Sequence, residues 1–271
     1  MSKIFKLGVI GSPIEHSLSP FIHSRFARSE GLNLDYKAYK VEQGAFDSFI
    51  SEFFSDKYAK GLNVTLPLKN LAATNIKGNI SNEAKFINAV NTIIKKDKQF
   101  CLESTDGSGF IDDLQKKSIN PKGKKILILG AGSAVESILY KLYNASPGHI
   151  TIINRTKEKA ERLCANYKNP DVLSTSKKEI KFDLIINGSS AGLTGDFSAP
   201  SNISVSESAV FYDLNYSLVK TPFCEWAEEY SNHVYDGIGM LVNQAALSFN
   251  HWFGKIPETN SVIKDIEGLS K

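Results

Sequence analysis

The sequence has little cysteine and lacks long hydrophobic runs. Its three cysteines are odd in number and widely spaced along the 271 residues, so they form no metal-binding motif and fit a reducing cytoplasm. No apolar stretch approaches the roughly 20 residues that a membrane-spanning helix needs. The first eleven residues also lack the hydrophobic segment of a secretory signal. We therefore expect a cytoplasmic protein with no metal and no membrane-spanning segment.

A strong excess of charge is also missing. The 32 basic and 29 acidic side chains leave a net charge of +3, which gives no reason to expect binding to nucleic acid or to a membrane surface. With 42% hydrophobic and 23% charged residues, the composition is that of an ordinary globular protein. The length suits one large domain or two of ordinary size. We expect a small-molecule partner, and the sequence leaves a monomer and a homodimer both open.

Strand and helix patterns alternate in the first part of the chain. Strands are predicted at 6–10, 36–41 and 60–65, helices at 20–30, 44–54 and 68–74, and a pair of strands at 89–94 and 99–104. Such alternation is typical of an α/β fold with a parallel or mixed sheet. Ser19 precedes Pro20, which predicts a helix start with the Ser19 hydroxyl as its N-cap.

Three polar side chains lie around the end of the strand predicted at 60–65. Asn63 and Thr65 share one face of the strand, and Lys69 follows just beyond Pro67, which ends the strand because proline has no N–H to donate. An amide, a hydroxyl and an amine at one strand end could line a pocket for a small polar ligand. Taken alone, however, the stretch is more simply explained as a surface lysine after a turn.

Polar residues recur at three later positions. Asn91 interrupts an apolar run, Asp106 opens a helix predicted at 105–117, and Gln244 lies on a long helix that follows a glycine turn. Each has an ordinary structural explanation. Asn91 could satisfy local backbone groups, Asp106 could cap its helix, and Gln244 could be a buried, hydrogen-bonded amide.

A nucleotide-binding pattern dominates the second part of the chain. A continuous apolar strand, 125–129, runs into the glycine turn 130–134 and then a helix that ends near Asn144, and another strand follows at 149–153. Glycines let the backbone approach a pyrophosphate, and the helix start supplies N–H donors. A Gly-x-Gly alone is a weak signal, but here it has the expected strand before it and helix after it. Later strands are predicted at 181–187 and 209–214, and helices at 222–231, 237–252 and 258–269.

The end of the second nucleotide-domain strand indicates the cofactor. An NAD-binding protein usually has an acidic residue here for the ribose hydroxyl, whereas this chain has Arg155, flanked by Asn154 and Thr156. A guanidinium is a planar donor fork suited to phosphate. Lys159 adds positive charge, and Thr156 can cap the next helix. We therefore expect recognition of a 2′-phosphate and hence NADP, with a solvated helix start as the alternative.

Taken together, these stretches resemble the shikimate dehydrogenase family over nearly the whole chain. The matching motifs are Ser-x-Ser at 17–19, Asn-Val-Thr-x-Pro-x-Lys at 63–69, Ala-Val-Asn-Thr at 89–92, Thr-Asp-x-x-Gly at 105–109, the glycine turn at 130–134, Asn-Arg-Thr at 154–156, Asp-x-x-Tyr at 213–216 and Gly-x-Gly-Met-Leu-x-x-Gln-Ala at 237–245. Each motif is short, but eight in this order are highly specific. Departures from the family pattern include Ser133 and Glu136 beside the glycine turn.

The resemblance implies reversible, NADPH-dependent reduction of 3-dehydroshikimate to shikimate, on the route to chorismate and the aromatic amino acids. It also implies a two-domain α/β fold. Residues 1–105 and 241–271 would form a substrate domain, residues 106–240 a Rossmann-type NADP domain, and the reaction would take place in the cleft between them. Two alternatives stay open, namely a quinate/shikimate dehydrogenase that uses NAD and a catalytically silent nucleotide-binding relative.

The resemblance further assigns residues to roles. It places Ser17, Ser19 and Tyr216 at the substrate carboxylate, and Asn63, Asn91, Asp106 and Gln244 at the ring hydroxyls, with Thr65 nearby. Lys69 would be the general base in oxidation and the general acid in reduction, oriented by Asp106, or else a charged stabiliser while a water carries the proton. The cofactor would contact Gly130, Ala131, Gly132, Ser133, Ala134, Asn154, Arg155, Thr156, Lys159, Leu214 and Gly237.

Overall fold

The computed structural model describes residues 4–175, 180–189, 197–200 and 203–269. The chain divides into two compact units. Unit 1 comprises Met1–Gly109 and Val242–Val262, and unit 2 comprises Phe110–Leu241 and Ile263–Lys271. Both are α/β, as predicted. The sequence-based boundaries differ from these at three places. Residues 106–109, which were placed in the cofactor domain, group with unit 1, whereas residues 241 and 263–271, which were placed in the substrate domain, group with unit 2.

Unit 1 is built on a mixed sheet. Among the described residues its elements are β1 (Ile4–Gly11), α1 (Ser19–Ser29), β2 (Asn33–Lys40), a 3-10 turn (Gln43–Ala45), α2 (Phe46–Ser55), β3 (Ala59–Val64), α3 (Lys69–Asn75), β4 (Asn79–Ile80), α4 (Asn82–Phe86), β5 (Thr92–Lys96), β6 (Gln99–Glu103) and α5 (Asp106–Lys116), which continues into unit 2. The strand order is β2-β1-β3-β5-β6-β4. β1 is parallel to β2 and β3, while β5 is antiparallel to β3 and β6. The hairpin predicted around 95–98 is therefore present.

The central strands of unit 1 are buried because their apolar side chains meet helices. Ile10, Leu62 and Ile93 are fully inaccessible to solvent and belong to one cluster with Phe46 and Phe53 of α2. Burial of such side chains stabilises a domain by about 1.5–3 kcal/mol each. This packing fixes the carboxyl end of β3, where Asn63 lies.

The predicted cap of α1 is wrong by one residue. The helix begins at Ser19 itself, and its N-cap residue is Leu18, whose side chain makes no capping bond. The Ser17 hydroxyl accepts a hydrogen bond from the Ser19 N–H at 3.3 Å, the local turn contact that short polar side chains favour.

Unit 2 is a parallel sheet of the Rossmann type. Its described elements are β7 (Lys125–Leu129), α6 (Ser133–Asn144), β8 (His149–Ile153), α7 (Lys157–Ala165), β9 (Leu173–Ser174), β10 (Phe182–Asn187), β11 (Val205–Asp213), α8 (Pro222–Ala227), β12 (Val234–Tyr235), α9 (Ile238–Phe253) and α10 (Asn260–Gly268); α9 continues into unit 1, and α10 starts there. In the strand order β12-β11-β10-β7-β8-β9, the chain adds β8 and β9 on one side of β7 and then β10, β11 and β12 on the other. The topological switch point therefore lies between β7 and β10. Ligands of such sheets bind beyond the strand ends at this switch point.

Two observations bear on the expected absences. Among the helices of the described residues, none combines the length and the hydrophobicity that a membrane span requires. Within the same ranges, no three His, Cys, Asp or Glu side chains are grouped so that they could hold a metal ion. The three cysteines are free.

His23 should make the stability of unit 1 depend on pH. Its ring is fully buried and stacks on Tyr36 with 4.4 Å between ring centroids. Burial lowers the pKa of His23 to about 3, against a smaller opposite effect of Asn63. The folded protein therefore keeps His23 neutral while the unfolded chain takes up a proton below about pH 6.5, so stability falls as the pH drops toward 3.

The expected loss between pH 7 and pH 5 from this one group is about 2 kcal/mol of unfolding free energy. Urea unfolding at both pH values measures it. His23→Gln should lose about 2 kcal/mol less than the wild type over this range. An equal loss in both proteins would show that His23 is not held neutral.

Candidate active site

Lys69 and Asp106 form a close pair at the starts of two helices. α3 begins at Lys69 and α5 at Asp106, and Lys69 Nζ donates to Asp106 Oδ2 at 2.7 Å. The two side chains are 15% and 11% exposed, so they are shielded from bulk water yet reachable. Asp106 Oδ1 accepts from Asn91 Nδ2 at 3.0 Å, so both oxygens of the carboxylate bond to side chains. This pair can hold a proton and orient a hydroxyl group.

The Asn91 amide holds this pair in place. Its Oδ1 accepts from the Thr105 N–H at 2.9 Å, so the structural explanation offered by the sequence is correct for that atom. Its Nδ2 donates to Thr105 Oγ1 at 2.9 Å and to Asp106 Oδ1, and lies 3.3 Å from Gln244 Oε1. Because the amide oxygen only accepts and the nitrogen only donates, these partners fix the orientation of the Asn91 side chain.

Gln244 reaches this cluster because α5 and α9 touch through a glycine. A Cβ on Gly109 would lie 2.5 Å from the Gln244 backbone nitrogen, which no real Cβ tolerates. The glycine of the Thr-Asp-x-x-Gly motif therefore permits the close approach, as glycine commonly does where two backbones meet. Any larger residue at position 109 would push Gln244 away from Asn91.

Asn63 lies at the end of β3 and is 6% exposed. Its Nδ2 is within 3.3 Å of three acceptors, Asn91 O, Thr92 Oγ1 and Ser248 Oγ. Its Oδ1 accepts from Tyr36 Oη at 2.7 Å. The amide therefore belongs to the same polar network as Asn91.

Thr65 follows Asn63 beyond the end of the strand. Its N–H donates to Ile10 O at 2.9 Å. A Cβ on Gly11 would lie 2.5 Å from the Thr65 methyl, so Gly11 makes room for this side chain. Thr65 is half-buried, close in the chain to both Asn63 and Lys69.

Four hydroxyl-bearing residues of this network were given no role from the sequence, although Thr92 and Thr105 lie within its motifs. Ser248 Oγ lies 2.7 Å from Thr92 Oγ1 and 3.2 Å from Thr105 Oγ1, and Tyr36 reaches Asn63 from β2. Ser248 was detectable in part, because it lies four residues after Gln244 and so on the same face of α9. Tyr36 gave no local signal.

The residues assigned to the substrate carboxylate are divided between the units. Ser19 is 8% exposed and Ser17 is half-buried, and both lie at the start of α1 in unit 1. Tyr216 belongs to unit 2, where burial raises the pKa of its hydroxyl. Every other residue assigned to the substrate lies in unit 1, where hydrogen bonds join Asn63, Asn91, Asp106 and Gln244.

The glycine turn of unit 2 packs against the residues that follow β8 and β10. Gly130 has a φ of +106°, and a Cβ there would lie 2.9 Å from the backbone of Gly188. The Gly130 N–H donates to Ile153 O at 2.7 Å, and the Ala131 N–H donates to Asn154 Oδ1 at 3.1 Å. Only glycine suits position 130, and the turn is fixed at the carboxyl ends of β7, β8 and β10.

The start of α6 is suited to an anion. Gly132 is the N-cap residue, no side chain caps the 12-residue helix, and a Cβ on Gly132 would meet open space. The free N–H groups of the first turn, which includes Ser133 and Ala134, and the positive end of the helix dipole favour a phosphate. The turn therefore fits the pyrophosphate of a dinucleotide.

Glu136 occupies the first turn of the same helix. Burial raises the pKa of its carboxyl, and the charge of Lys159 has the opposite effect. Lys159 therefore lies close enough to offset part of the repulsion that Glu136 would exert on a phosphate.

Arg155 is exposed at the end of β8. Within the described ranges, no carboxylate forms an ion pair with its guanidinium. Thr156 is the N-cap residue of α7, as predicted, but its hydroxyl makes no capping bond; its carbonyl accepts from Asn154 Nδ2 at 2.8 Å. The donor set at this strand end fits a ribose 2′-phosphate.

Leu214 and Gly237 meet at the ends of β11 and β12. A Cβ on Gly237 would lie 2.4 Å from Leu214 O, and the Gly237 N–H donates to Asn215 O at 2.9 Å. Asp213 anchors this end by accepting from Asn187 and Thr221, while burial raises the pKa of its carboxyl. All the residues assigned to the cofactor thus lie at one edge of the sheet.

Three family models match the chain. They are the shikimate dehydrogenase substrate binding domain over residues 9–93, shikimate / quinate 5-dehydrogenase over residues 113–193, and the shikimate 5′-dehydrogenase C-terminal domain over residues 237–264.

Individual proteins similar to this chain belong to the same family as these models. A protein named shikimate dehydrogenase (NADP(+)) from Laribacter hongkongensis is 38% identical over 95% of this chain and 96% of its own length. The crystal structure of shikimate 5-dehydrogenase from Thermus thermophilus, in complex with NADP(H) and shikimate, has a TM-score of 0.86 at 29% identity, with 98% of this chain and 100% of that one covered. The Listeria monocytogenes enzyme, solved with shikimate and NAD, has a TM-score of 0.87 at 27% identity, with 98% and 97% covered. On the motifs, the fold and these matches, the chain belongs to the shikimate dehydrogenase family.

Proposed function

We propose that this chain is an NADP-dependent shikimate dehydrogenase, which reversibly reduces 3-dehydroshikimate to shikimate on the route to chorismate. The observation that carries the proposal is the Lys69–Asp106 pair, 2.7 Å apart and bordered by the neutral amides of Asn91 and Gln244. Oxidising an alcohol requires a group that takes its proton, and a polyhydroxylated substrate requires neutral donors and acceptors around it. The relatives named above act as precedent for this activity.

Lys69 is the proton-transfer group of the proposed mechanism. In oxidation its amine takes the proton of the reacting hydroxyl, and in reduction it returns that proton to the forming alkoxide. Asp106 accepts hydrogen bonds from Lys69 and Asn91 and orients both the amine and the hydroxyl. When bound, NADP supplies the hydride acceptor of the oxidation and NADPH the hydride donor of the reduction. The alternative keeps Lys69 charged throughout as a stabiliser of the alkoxide, with a water moving the proton.

Shikimate is held by neutral groups in the proposal. Asn63, Asn91 and Gln244 bind the ring hydroxyls beside Asp106, with Thr65 nearby, and three hydroxyl-bearing residues bind the carboxylate: Ser17, Ser19 and Tyr216. Unit 1 is the substrate domain. Unit 2 holds the cofactor through the turn Gly130–Ala134, the segment Asn154–Lys159, and Leu214 with Gly237.

The proposal extends to the setting of the enzyme. Free cysteines suit a reducing compartment, so we place the enzyme in the cytoplasm. The near balance of 32 basic and 29 acidic side chains supports a small-molecule partner and no nucleic acid. A monomer or a homodimer would serve this function equally well.

Initial rates with shikimate or quinate, each paired with NADP or NAD, test the proposal. We expect the largest kcat/KM for shikimate with NADP. A preference for NAD with activity on quinate would favour the quinate/shikimate alternative, for which the Listeria complex with NAD is a precedent. Nucleotide binding without turnover in any pair would favour a catalytically silent relative.

Loss of single substrate contacts should raise the KM for shikimate. Ser17→Ala and Gln244→Ala each remove one neutral hydrogen-bonding group, so we expect an increase of about two- to tenfold with little change in the KM for NADP. Steady-state kinetics on both variants check this. Unchanged KM values in both would contradict the substrate site as assigned.

A further inference from the structure

Tyr36 contacts one of the amides that the proposed function assigns to the substrate ring. Its hydroxyl donates to Asn63 Oδ1 at 2.7 Å. Tyr36 lies on β2 and Asn63 at the end of β3, and β1 separates these two strands in the sheet. The phenolic oxygen therefore joins two strands that are not neighbours.

The contact determines which way the Asn63 amide faces. Both ends of an amide side chain can bond, and they differ in chemistry because the oxygen only accepts and the nitrogen only donates. Tyr36 donates to the oxygen, which leaves the nitrogen toward Ser248 and Thr92. Burial raises the pKa of Tyr36 well above its ordinary value, so the hydroxyl keeps the proton that it donates.

The ring of Tyr36 is held independently of its hydroxyl. It stacks on the buried His23 ring at 4.4 Å and lies 6.3 Å from the Trp252 ring. Because these contacts use the ring faces and edges, a phenylalanine at this position would keep them. The packing role and the hydrogen-bonding role of the residue can therefore be separated by one substitution.

We propose that Tyr36 is a positioning residue for substrate binding, whose hydroxyl holds the Asn63 amide in the orientation that binds a ring hydroxyl. The inference rests on the proposed function, since it takes shikimate as the ligand. Tyr36 acts through Asn63 and takes no part in proton transfer. Its loss should therefore weaken substrate binding while leaving the chemical step and the cofactor site intact.

Tyr36→Phe tests this with Tyr39→Phe as the matched control. Tyr39 is on the same strand and its ring packs against Phe49 and Phe53, so the control removes the same oxygen away from Asn63. For Tyr36→Phe we expect the KM and the calorimetric Kd for shikimate to rise about five- to tenfold, with kcat changed less than about twofold and the KM for NADP unchanged. The control should match the wild type in all four quantities.

A double-mutant cycle provides a second test. Tyr36→Phe and Asn63→Ala lie on different strands, and their effects on the shikimate Kd would multiply if the two side chains acted independently. Because Tyr36 acts through Asn63, the double variant should instead bind shikimate within about twofold of Asn63→Ala alone. Urea unfolding of all four proteins establishes that each is folded before the Kd values are compared.

The outcomes separate this inference from the proposed function. A wild type that oxidises shikimate, with a Tyr36→Phe variant of unchanged KM and Kd and independent effects in the cycle, would overturn the positioning role alone. A fall in unfolding free energy without a change in shikimate affinity would make Tyr36 a packing residue and would equally overturn it. A wild type that neither binds nor oxidises shikimate would instead reject the proposed function.

Discussion

Lys69→Ala is expected to lower kcat for shikimate oxidation by about 10²- to 10⁴-fold. The substitution removes the amine that lies 2.7 Å from Asp106, and with it the group that takes the hydroxyl proton. Shikimate should still bind, because Asn63, Asn91 and Gln244 remain. Turnover and calorimetric binding measured on the same folded variant check both statements.

Two companion variants make this prediction specific. Lys6→Ala is the matched control, because Lys6 also pairs with a carboxylate of unit 1, Asp56, at 3.4 Å, but lies outside the polar network; its kcat should equal that of the wild type. Lys69→Arg keeps the charge but cannot give up its proton. Strongly impaired turnover in Lys69→Arg supports proton transfer by the amine, and substantial turnover supports the charged stabiliser. Near-normal turnover in Lys69→Ala would remove the residue from the mechanism.

Arg155→Ala is expected to weaken NADP binding by about ten- to a hundredfold and to change NAD binding little. A hydrogen bond to a charged group contributes about 1.5–3 kcal/mol, which corresponds to that range of Kd. Only NADP carries the 2′-phosphate that Arg155 would bind. Direct titration of both nucleotides by fluorescence or calorimetry measures the two constants.

Arg162→Ala provides the control for Arg155. Arg162 is an exposed guanidinium of the same region, and its Nε donates to Glu158 O within α7 at 3.2 Å, so its loss should affect neither nucleotide. If Arg155→Ala weakened NADP and NAD by the same factor, the residue would support the turn generally and would not recognise the phosphate.

The sequence predicted the α/β class because its strongest signals are local. The apolar run Lys125–Leu129, its glycine turn and the following helix occupy the predicted positions, since a buried parallel strand and a helix start each have a compact signature. Shorter pieces were missed. β4, β9 and β12 have two residues each, too few for any hydrophobic period to register.

The candidate site was predictable only in part, for a physical reason. Motifs identified Lys69 and Asp106, but the contacts that orient them join distant parts of the chain, as with Asn63 and Ser248, which are 185 residues apart. No local pattern records such a pairing. Tyr36 was missed for the same reason, since its hydroxyl bonds to Asn63, 27 residues further along the chain. The Ser19 cap was misplaced by one residue because the helix includes Ser19 as its first residue.

Reduction of 3-dehydroshikimate with NADPH is the activity that defines this enzyme. It is measured most directly by following NADPH consumption by the purified protein with 3-dehydroshikimate and identifying the product by chromatography. We expect saturable consumption, one shikimate formed per NADPH oxidised, and loss of this activity in Lys69→Ala. NADPH binding without consumption, or consumption that yields no shikimate, would contradict the proposed function.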